Sequence, residues 1–347
     1  MLNEFISDAG SLTQIDSEDE LIEGALRWTK DGNGGGVGND NGTSYGSAPL
    51  AAGFPKGYRA FYCMKYELSQ KQYVDFLNTL TRTQQNARGV AGDSDRNTIV
   101  AQAADNGEEN PVVFVAERPD RAANFLIWID GCAYADWAGL RPMTELEFEK
   151  AARGNQPVVS EEYAWGTTQI KAGRILSGLE DGTEVITDEG TNANYEFSGG
   201  LSFSGGDGGQ GPLRCGIFAR EETTREQAGA GYYGVMDLSG NVTETCVTVA
   251  AIKGLNEQPI PGAGQFDGRH GDGVLSEDGH ADVPNWPGRD ENGEVVTAEG
   301  SGHRGGSFGS SRFPLSVSDR GSAAEISISP LRTGTGGFRA VRTASQD

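Results

Sequence analysis

The fold of this chain is decided by residues 303–342, HRGGSFGSSRFPLSVSDRGSAAEISISPLRTGTGGFRAVR. Glycine-rich ends, RGGSF at 304–308 and GGFR at 336–339, frame a run with no helical period and no strand alternation. The run contains neither Cys nor His. A framed segment of this kind is typical of a scaffold that presents a surface, and it argues against a site built for one reaction.

Composition predicts an irregular, loop-rich protein, since 52 of the 347 residues are Gly and hydrophobic content is 36%. The formal net charge of -22 argues against nucleic acid as a partner, because phosphate binding needs a basic face. Two interpretations of the acidity stay open, solubility and cation binding. The sequence has no apolar stretch of about 18 residues, so no membrane span is predicted, and no signal peptide is visible at its start.

The four cysteines, Cys63, Cys132, Cys215 and Cys246, form no CxxC pair. Both buried thiols and one or two disulfides are compatible with this spacing.

Two S/T-x-x-E/Q capping boxes predict helix starts, at Ser69 with Gln72 and at Thr144 with Glu147. Residues 124–138 are apolar almost all round, which favours a further, buried helix. Beyond Gly154 the sequence predicts short strands, turns and long loops. We therefore expect an α+β domain with a small antiparallel sheet and two or three helices.

Four segments in order carry a family resemblance: KYELSQKQYVDFLN (65–78), GLRPMTELEFEKAARG (139–154), YYGVMDLSGNVTE (232–244) and RGGSF…GGFRAVR (304–342). Together they resemble the formylglycine-generating enzyme, or sulfatase-modifying factor, family. The resemblance implies a C-type lectin-like fold over residues 55–343. Residues 1–54 would form a partly Gly-rich N-terminal extension.

The family's enzymes use a copper-binding cysteine pair after the RGGS motif. Here Ser310 and Leu315 lie about where that pair would be, and neither side chain can bind soft copper. A related branch, the iron-dependent sulfoxide synthases, uses a His cluster. His270, His280 and His303 have no H-x-x-x-H spacing. The chain is therefore not expected to be an enzyme.

A third branch fits better: the chain resembles the variable proteins of diversity-generating retroelements. The resemblance implies that residues 304–342 are a variable ligand-binding segment. A protein or glycan on another cell or particle would be the partner, with the chain at a cell surface or on a virus particle. Val317, Asp319, Arg320 and Ala324 would belong to the scaffold. The expected ligand contacts are Phe308, Gly309, Ser311, Phe313, Leu315, Ser316, Gly321, Ser322, Ile326, Ser327, Ser329, Leu331, Thr333 and Thr335. The alternative is a static family member or a degenerate oxidase.

The resemblance also implies structural calcium, bound by hard oxygen ligands. One implied site consists of Asn194, Tyr195, Asp207 and Gly209. The other consists of Asn241, Val242 and Glu244. The alternative for the second site is that Asn241 and Glu244 merely hydrogen-bond a turn.

Overall fold

The computed structural model describes residues 15–19, 50–90, 92, 94–102, 109–197, 200–249, 265–323 and 330–345, with the backbone of 6–7 and 10–11. Its helices are α1 Gln70–Leu77, α2 Arg82–Arg88, α3 Trp128–Trp137 and α4 Glu145–Arg153. Its strands are β1 Ile6–Ser7, β2 Gly10–Ser11, β3 Phe61–Cys63, β4 Ile99–Ala101, β5 Phe114–Ala116, β6 Arg141–Pro142, β7 Leu176–Ser177, β8 Val185–Ile186, β9 Glu244–Val247, β10 Ser301–Arg304 and β11 Ala340–Thr343.

Both predicted capping boxes are confirmed, since Ser69 caps α1 and Thr144 caps α4 through reciprocal side-chain to backbone bonds. The buried helix α3 is shorter than the predicted 124–138 and starts at Trp128. The described residues contain four helices, one more than the upper number expected. The additional helix, α2, begins at the T-x-x-Q capping box of Thr81 and Gln84.

A three-stranded antiparallel sheet has the order β3-β11-β6. The C-terminal end of the framed segment supplies its central strand, in which Val341 pairs with Cys63 on one side and Arg141 on the other. The other end of the segment is held by a second sheet, in which Arg304 of β10 pairs with Glu244 of β9. The segment is therefore fixed at both ends by antiparallel pairing.

The hydrophobic core of the described residues lies in several clusters. The largest surrounds α1 and α3, and another packs α4 against Leu238, Leu315 and Val317. Phe308 joins a third cluster with Phe197 and other apolar residues. Loop residues of the 304–342 segment thus complete the core. An α+β fold built from small antiparallel sheets is confirmed. The division at residue 54 stays a prediction.

Candidate ligand-binding site

Buried ion pairs hold the start of the 304–342 segment against α4. Arg304 is 2% exposed and donates to Glu145 Oε2 at 2.8 Å and to Glu149 Oε1 at 2.7 Å. Arg320 donates to both oxygens of Glu145, at 2.8 and 2.9 Å. Although burial opposes it, the two guanidinium groups hold the pKa of Glu145 below its usual value.

The end of the segment is held in the same way. Arg339 is fully buried and donates to Glu244 Oε1 at 2.8 Å, and also to the carbonyls of Met64 and Met236. Arg332 donates to Asp130 in helix α3 at 2.7 Å. Bidentate and charge-assisted bonds of this kind fix orientation as well as position.

The two glycines of the RGG motif let their backbone lie closer to Leu238 and Leu315 than a residue with a Cβ could. Gly305 has φ 79° and a Cβ there would lie 2.5 Å from the Leu238 carbonyl oxygen. Gly306 has φ 65° and its Cβ would lie 2.6 Å from Leu315 Cδ1. The motif therefore sets the path of the chain into the segment.

Between its fixed ends the segment forms one wall of a cavity of about 670 Å³, a volume within the usual range for ligand sites. Five of the predicted contact residues line it: Gly309, Ser322, Leu331, Thr333 and Thr335. The rest of the lining comes from outside the segment, with Leu126, Ile127, Thr243 and Thr245 from distant parts of the chain and His303 directly before Arg304. The lining is rich in hydroxyl groups, which suits polar recognition.

Other predicted contact residues lie elsewhere. Phe313 is 61% exposed and lines a second cavity of about 260 Å³, together with Ser316. Ser311 is exposed but lines neither cavity, and Gly321 is half-buried. Ile326, Ser327 and Ser329 lie outside the described residues.

Phe308 and Leu315 need correction as ligand contacts, because their side chains are buried in the core. Phe308 is 5% exposed and Leu315 is fully buried. Ser316, which is 6% exposed, offers little surface. The sequence could not separate these residues from their exposed neighbours, since the segment has no period that distinguishes an inner from an outer face.

The cavity also contains residues that the sequence did not predict as contacts. Ser307, Ser310 and Pro314 line it, and so does Asp319, which was expected to belong to the scaffold. Asp319 lines the second cavity as well. By contrast, Val317 and Arg320 are buried as scaffold residues should be.

No thiol is supplied by Ser310 and Leu315, which lie about where the resemblance would place the copper-binding cysteines. Ser310 Oγ accepts from the Ser307 N–H at 3.0 Å, and Leu315 lies in the core. The chain's own cysteines are free thiols outside the lining of both cavities. Burial raises the pKa of each, that of Cys63 to about 12, which disfavours the thiolate.

Guanidinium groups surround the first implied calcium site. Asp207 accepts from Arg96 through one carboxylate oxygen and from Arg121 through the other, at 2.5 Å. The Tyr195 carbonyl accepts from Arg174 at 2.7 Å. Positive charges this close oppose a calcium ion. Asp207 and the Tyr195 carbonyl are therefore already bound by guanidinium groups, whereas Asn194 Oδ1 is buried and has no hydrogen-bond partner among the described residues.

In the second implied calcium site, one carboxylate oxygen, Glu244 Oε2, is available to bind a cation. Asn241 Oδ1 already accepts from Asn194 Nδ2 at 2.9 Å and from the Leu213 N–H at 2.8 Å. Glu244 pairs with Arg339 through Oε1. Its Oε2 is buried and has no hydrogen-bond partner in the described part of the chain.

Further carboxyl groups lie around Glu244. Burial, reinforced by neighbouring negative charges, raises the pKa of Glu67 well above its usual value. Burial also raises the pKa of Asp237, to about 6, and that of Glu244. Arg339 partly balances these acids, and a divalent cation would offset the remaining charge. Over the described ranges, no three His, Cys, Asp or Glu side chains converge to hold a metal. Calcium here would therefore need carbonyl and amide oxygens.

The model of one protein family, the Sulfatase-modifying factor enzyme 1-like domain, matches residues 54–344. The formylglycine-generating enzyme of Thermomonospora curvata is 30% identical over 138 residues, 40% of this chain and 37% of that one. The enzyme of Streptomyces coelicolor is 42% identical over 68 residues, 20% and 21% of the two chains. The enzyme of Bos taurus is 26% identical over 151 residues, 38% and 40%. The matches thus span about two fifths or less of these relatives.

Among solved structures, Treponema denticola variable protein 1 matches with a TM-score of 0.36 and 13% identity, covering 94% of each chain. A likeness of that degree carries no argument about function. No helix in the described part of the chain has both the length and the apolar character needed to cross a membrane.

Proposed function

The chain belongs to the family of sulfatase-modifying factor enzyme 1-like domains, and we propose that it is a non-catalytic member that binds a ligand at the face formed by residues 304–342. One observation carries the proposal. The ends of the segment are fixed by buried arginines, while side chains between them line a cavity of about 670 Å³. Such a face can change its side chains without unfolding its support.

The absence of the cysteine pair supports a binding role over an oxidase. Copper chemistry in the family depends on thiolates, and Ser310 and Leu315 supply none. The alternative of a degenerate oxidase predicts oxygen consumption with a cysteine peptide and added copper. We expect none above the rate of the peptide and copper alone. A protein-dependent rate would contradict the non-catalytic role.

The ligand we propose is a protein or glycan on another cell or particle. The test is binding of the full chain to arrays of purified cell-surface proteins and glycans. Thr333→Tyr places a large ring on the cavity wall, whereas Ser311→Tyr places the same ring on the exposed segment outside both cavities. We expect array binding to be lost in the first variant and kept in the second. Equal binding by both variants would contradict the proposed site.

Diversification by a retroelement is part of the proposal and has its own test. The DNA beside this gene should contain a near-copy of the codons for residues 304–342 that differs at adenine positions. Such a repeat would identify the variable codons directly. If the neighbouring DNA contains no repeat, the chain is a static member of the family.

We also propose structural calcium at Asn241, Val242 and Glu244, supported by the buried Oε2 of Glu244 without a hydrogen-bond partner among the described residues. Because guanidinium groups already bind Asp207, the first implied site should stay metal-free. Equilibrium dialysis should therefore give one calcium per chain, unchanged in Asp207→Asn. No bound calcium would refute the proposal. Two ions per chain would show that the first site binds calcium after all.

A further inference from the structure

The smaller cavity adjoins the proposed ligand face and has a different chemistry. Its volume is about 260 Å³, and its lining includes Glu161, Tyr163, Arg312, Phe313, Ser316 and Asp319. This volume lies below the range of about 300–1,000 Å³ typical of whole-ligand sites. The cavity suits a single side chain inserted by a larger partner.

Two carboxylates of this cavity have unused hydrogen-bonding capacity. Among the described residues, the Gly321 N–H is the donor to the Asp319 carboxylate, at 3.1 Å. No donor in the same part of the chain reaches the Glu161 side chain, which is exposed. Ionised carboxylates accept several hydrogen bonds, so both can accept more. Burial raises the pKa of Asp319, and a cation beside it would favour the charged form.

Aromatic surface completes the cavity. Phe313 is 61% exposed, and the Arg312 guanidinium lies 5.1 Å from its ring centroid. Within the residues that the structure describes, Arg312 forms no ion pair with Glu161 or Asp319. The wall thus contains two acids, one base and aromatic rings, an arrangement that attracts an additional cation.

We propose that this cavity receives a lysine or arginine side chain of a protein partner and that Asp319 determines this specificity. The proposal rests on the proposed function, because Asp319 also lines the larger cavity and so adjoins any ligand bound there. The net charge of -22 favours a basic partner surface. A neutral glycan would supply no cation.

The two acids and Tyr163 of the site would be constant while the larger cavity varies, whereas Phe313 and Ser316 belong to the variable contacts. Glu161 and Tyr163 lie outside residues 304–342, and Asp319 is one of the residues expected to stay fixed within that segment. Copies that differ at Thr333 or Leu331 would keep the same contact for a basic side chain. Glu161 and Asp319 therefore act as a shared anchor beside a changeable surface.

The test uses the full chain and two blocked tripeptides, acetyl-Gly-Arg-Gly-amide and its citrulline analogue, which have nearly the same shape but differ in charge. In a ligand-detected NMR titration, we expect the arginine peptide to bind at least about tenfold more tightly than the citrulline peptide. Asp319→Asn and Glu161→Gln should each weaken arginine binding by about fivefold or more. Glu221→Gln, which removes an exposed acid elsewhere, is the matched control and should change nothing.

Equal binding of the two peptides, or unchanged arginine binding in Glu161→Gln, would overturn the inference. Thermal melts check that Asp319→Asn is folded, and if it is not, the exposed Glu161 variant decides. The array experiment with Thr333→Tyr tests the proposed function separately. Array binding that depends on Thr333 without an arginine preference would refute the anchor and leave the proposed function standing. An arginine preference without array binding would support the anchor and refute the proposed function.

Discussion

Glu145 connects the two most important arginines of the framed segment, because Arg304 and Arg320 both donate to it from fully buried positions. A buried acid with two cationic partners needs both for balance. Sequence analysis did not predict this pairing. Arg320 is 175 residues from Glu145 along the chain, and no periodicity predicts which distant charges meet.

Arg320→Met should lower the free energy of unfolding by about 3 kcal/mol, since it leaves part of the Glu145 carboxylate buried without its cation. Urea denaturation measures the change. The matched control is Arg312→Met in the same segment, where the guanidinium is exposed and the expected change is below about 0.5 kcal/mol. Similar losses in both variants would show that the Glu145 pairs contribute no special stability.

Asp237 should make stability depend on pH. Burial raises the pKa of its carboxyl to about 6, above the ordinary value of 3.8. A raised carboxyl pKa stabilises the fold at low pH, and this contribution is lost as pH rises through about 6. Between pH 5 and pH 7.5 the loss from Asp237 should be about 1 kcal/mol.

Asp237→Asn should remove that part of the pH dependence, measured by urea denaturation at the two pH values. Asn also tolerates the positive φ of 63° at this position. Glu221→Gln, an exposed acid, should keep the wild-type dependence. An identical pH profile in wild type and Asp237→Asn would contradict the assignment.

At the scale of elements, two capping boxes predicted helix starts correctly, whereas the sequence offered no basis for predicting which strands pair. Ser69 and Thr144 begin helices because their caps are satisfied within four residues. The same signal at Thr81 was available and would have predicted α2. The pairing of β11 with both β3 and β6 joins residues far apart in sequence, and strands this short carry little alternation.

The stability of helix α4 depends on its N-terminal cap. Helix α4 in turn holds the start of the segment, because Glu145 and Glu149 bind Arg304. The Thr144 hydroxyl accepts from the Glu147 N–H at 3.2 Å and donates to the Pro55 carbonyl at 2.9 Å. Thr144→Ala should cost about 2 kcal/mol of stability, and Thr144→Ser, which keeps the hydroxyl, less than about 1 kcal/mol. Thermal and urea unfolding measure both variants. If the two variants lose the same stability, the methyl group rather than the cap is what matters.

At the scale of the whole molecule, sequence analysis correctly predicted a loop-rich α+β fold and its family. It could not predict the cavity. Thr243 and Leu126 line the same cavity as Thr333 only after the chain has folded. It also placed Phe308 and Leu315 among the exposed ligand contacts, although both side chains face the core. Some residues of the segment therefore belong to the buried scaffold and others to the exposed face. Tertiary packing decides which residues belong to each set.

That division predicts opposite effects for two sets of substitutions within one segment. Replacing the exposed Ser311, Ser322, Leu331 and Thr333 together by Ala should change the free energy of unfolding by about 1 kcal/mol or less. Leu315→Ala alone should cost about 2–5 kcal/mol, because it leaves a cavity in the core. Urea denaturation of both proteins compares the two effects. If the fourfold exposed variant unfolds as readily as Leu315→Ala, the segment supports the fold throughout. It could not then vary its surface independently of its stability.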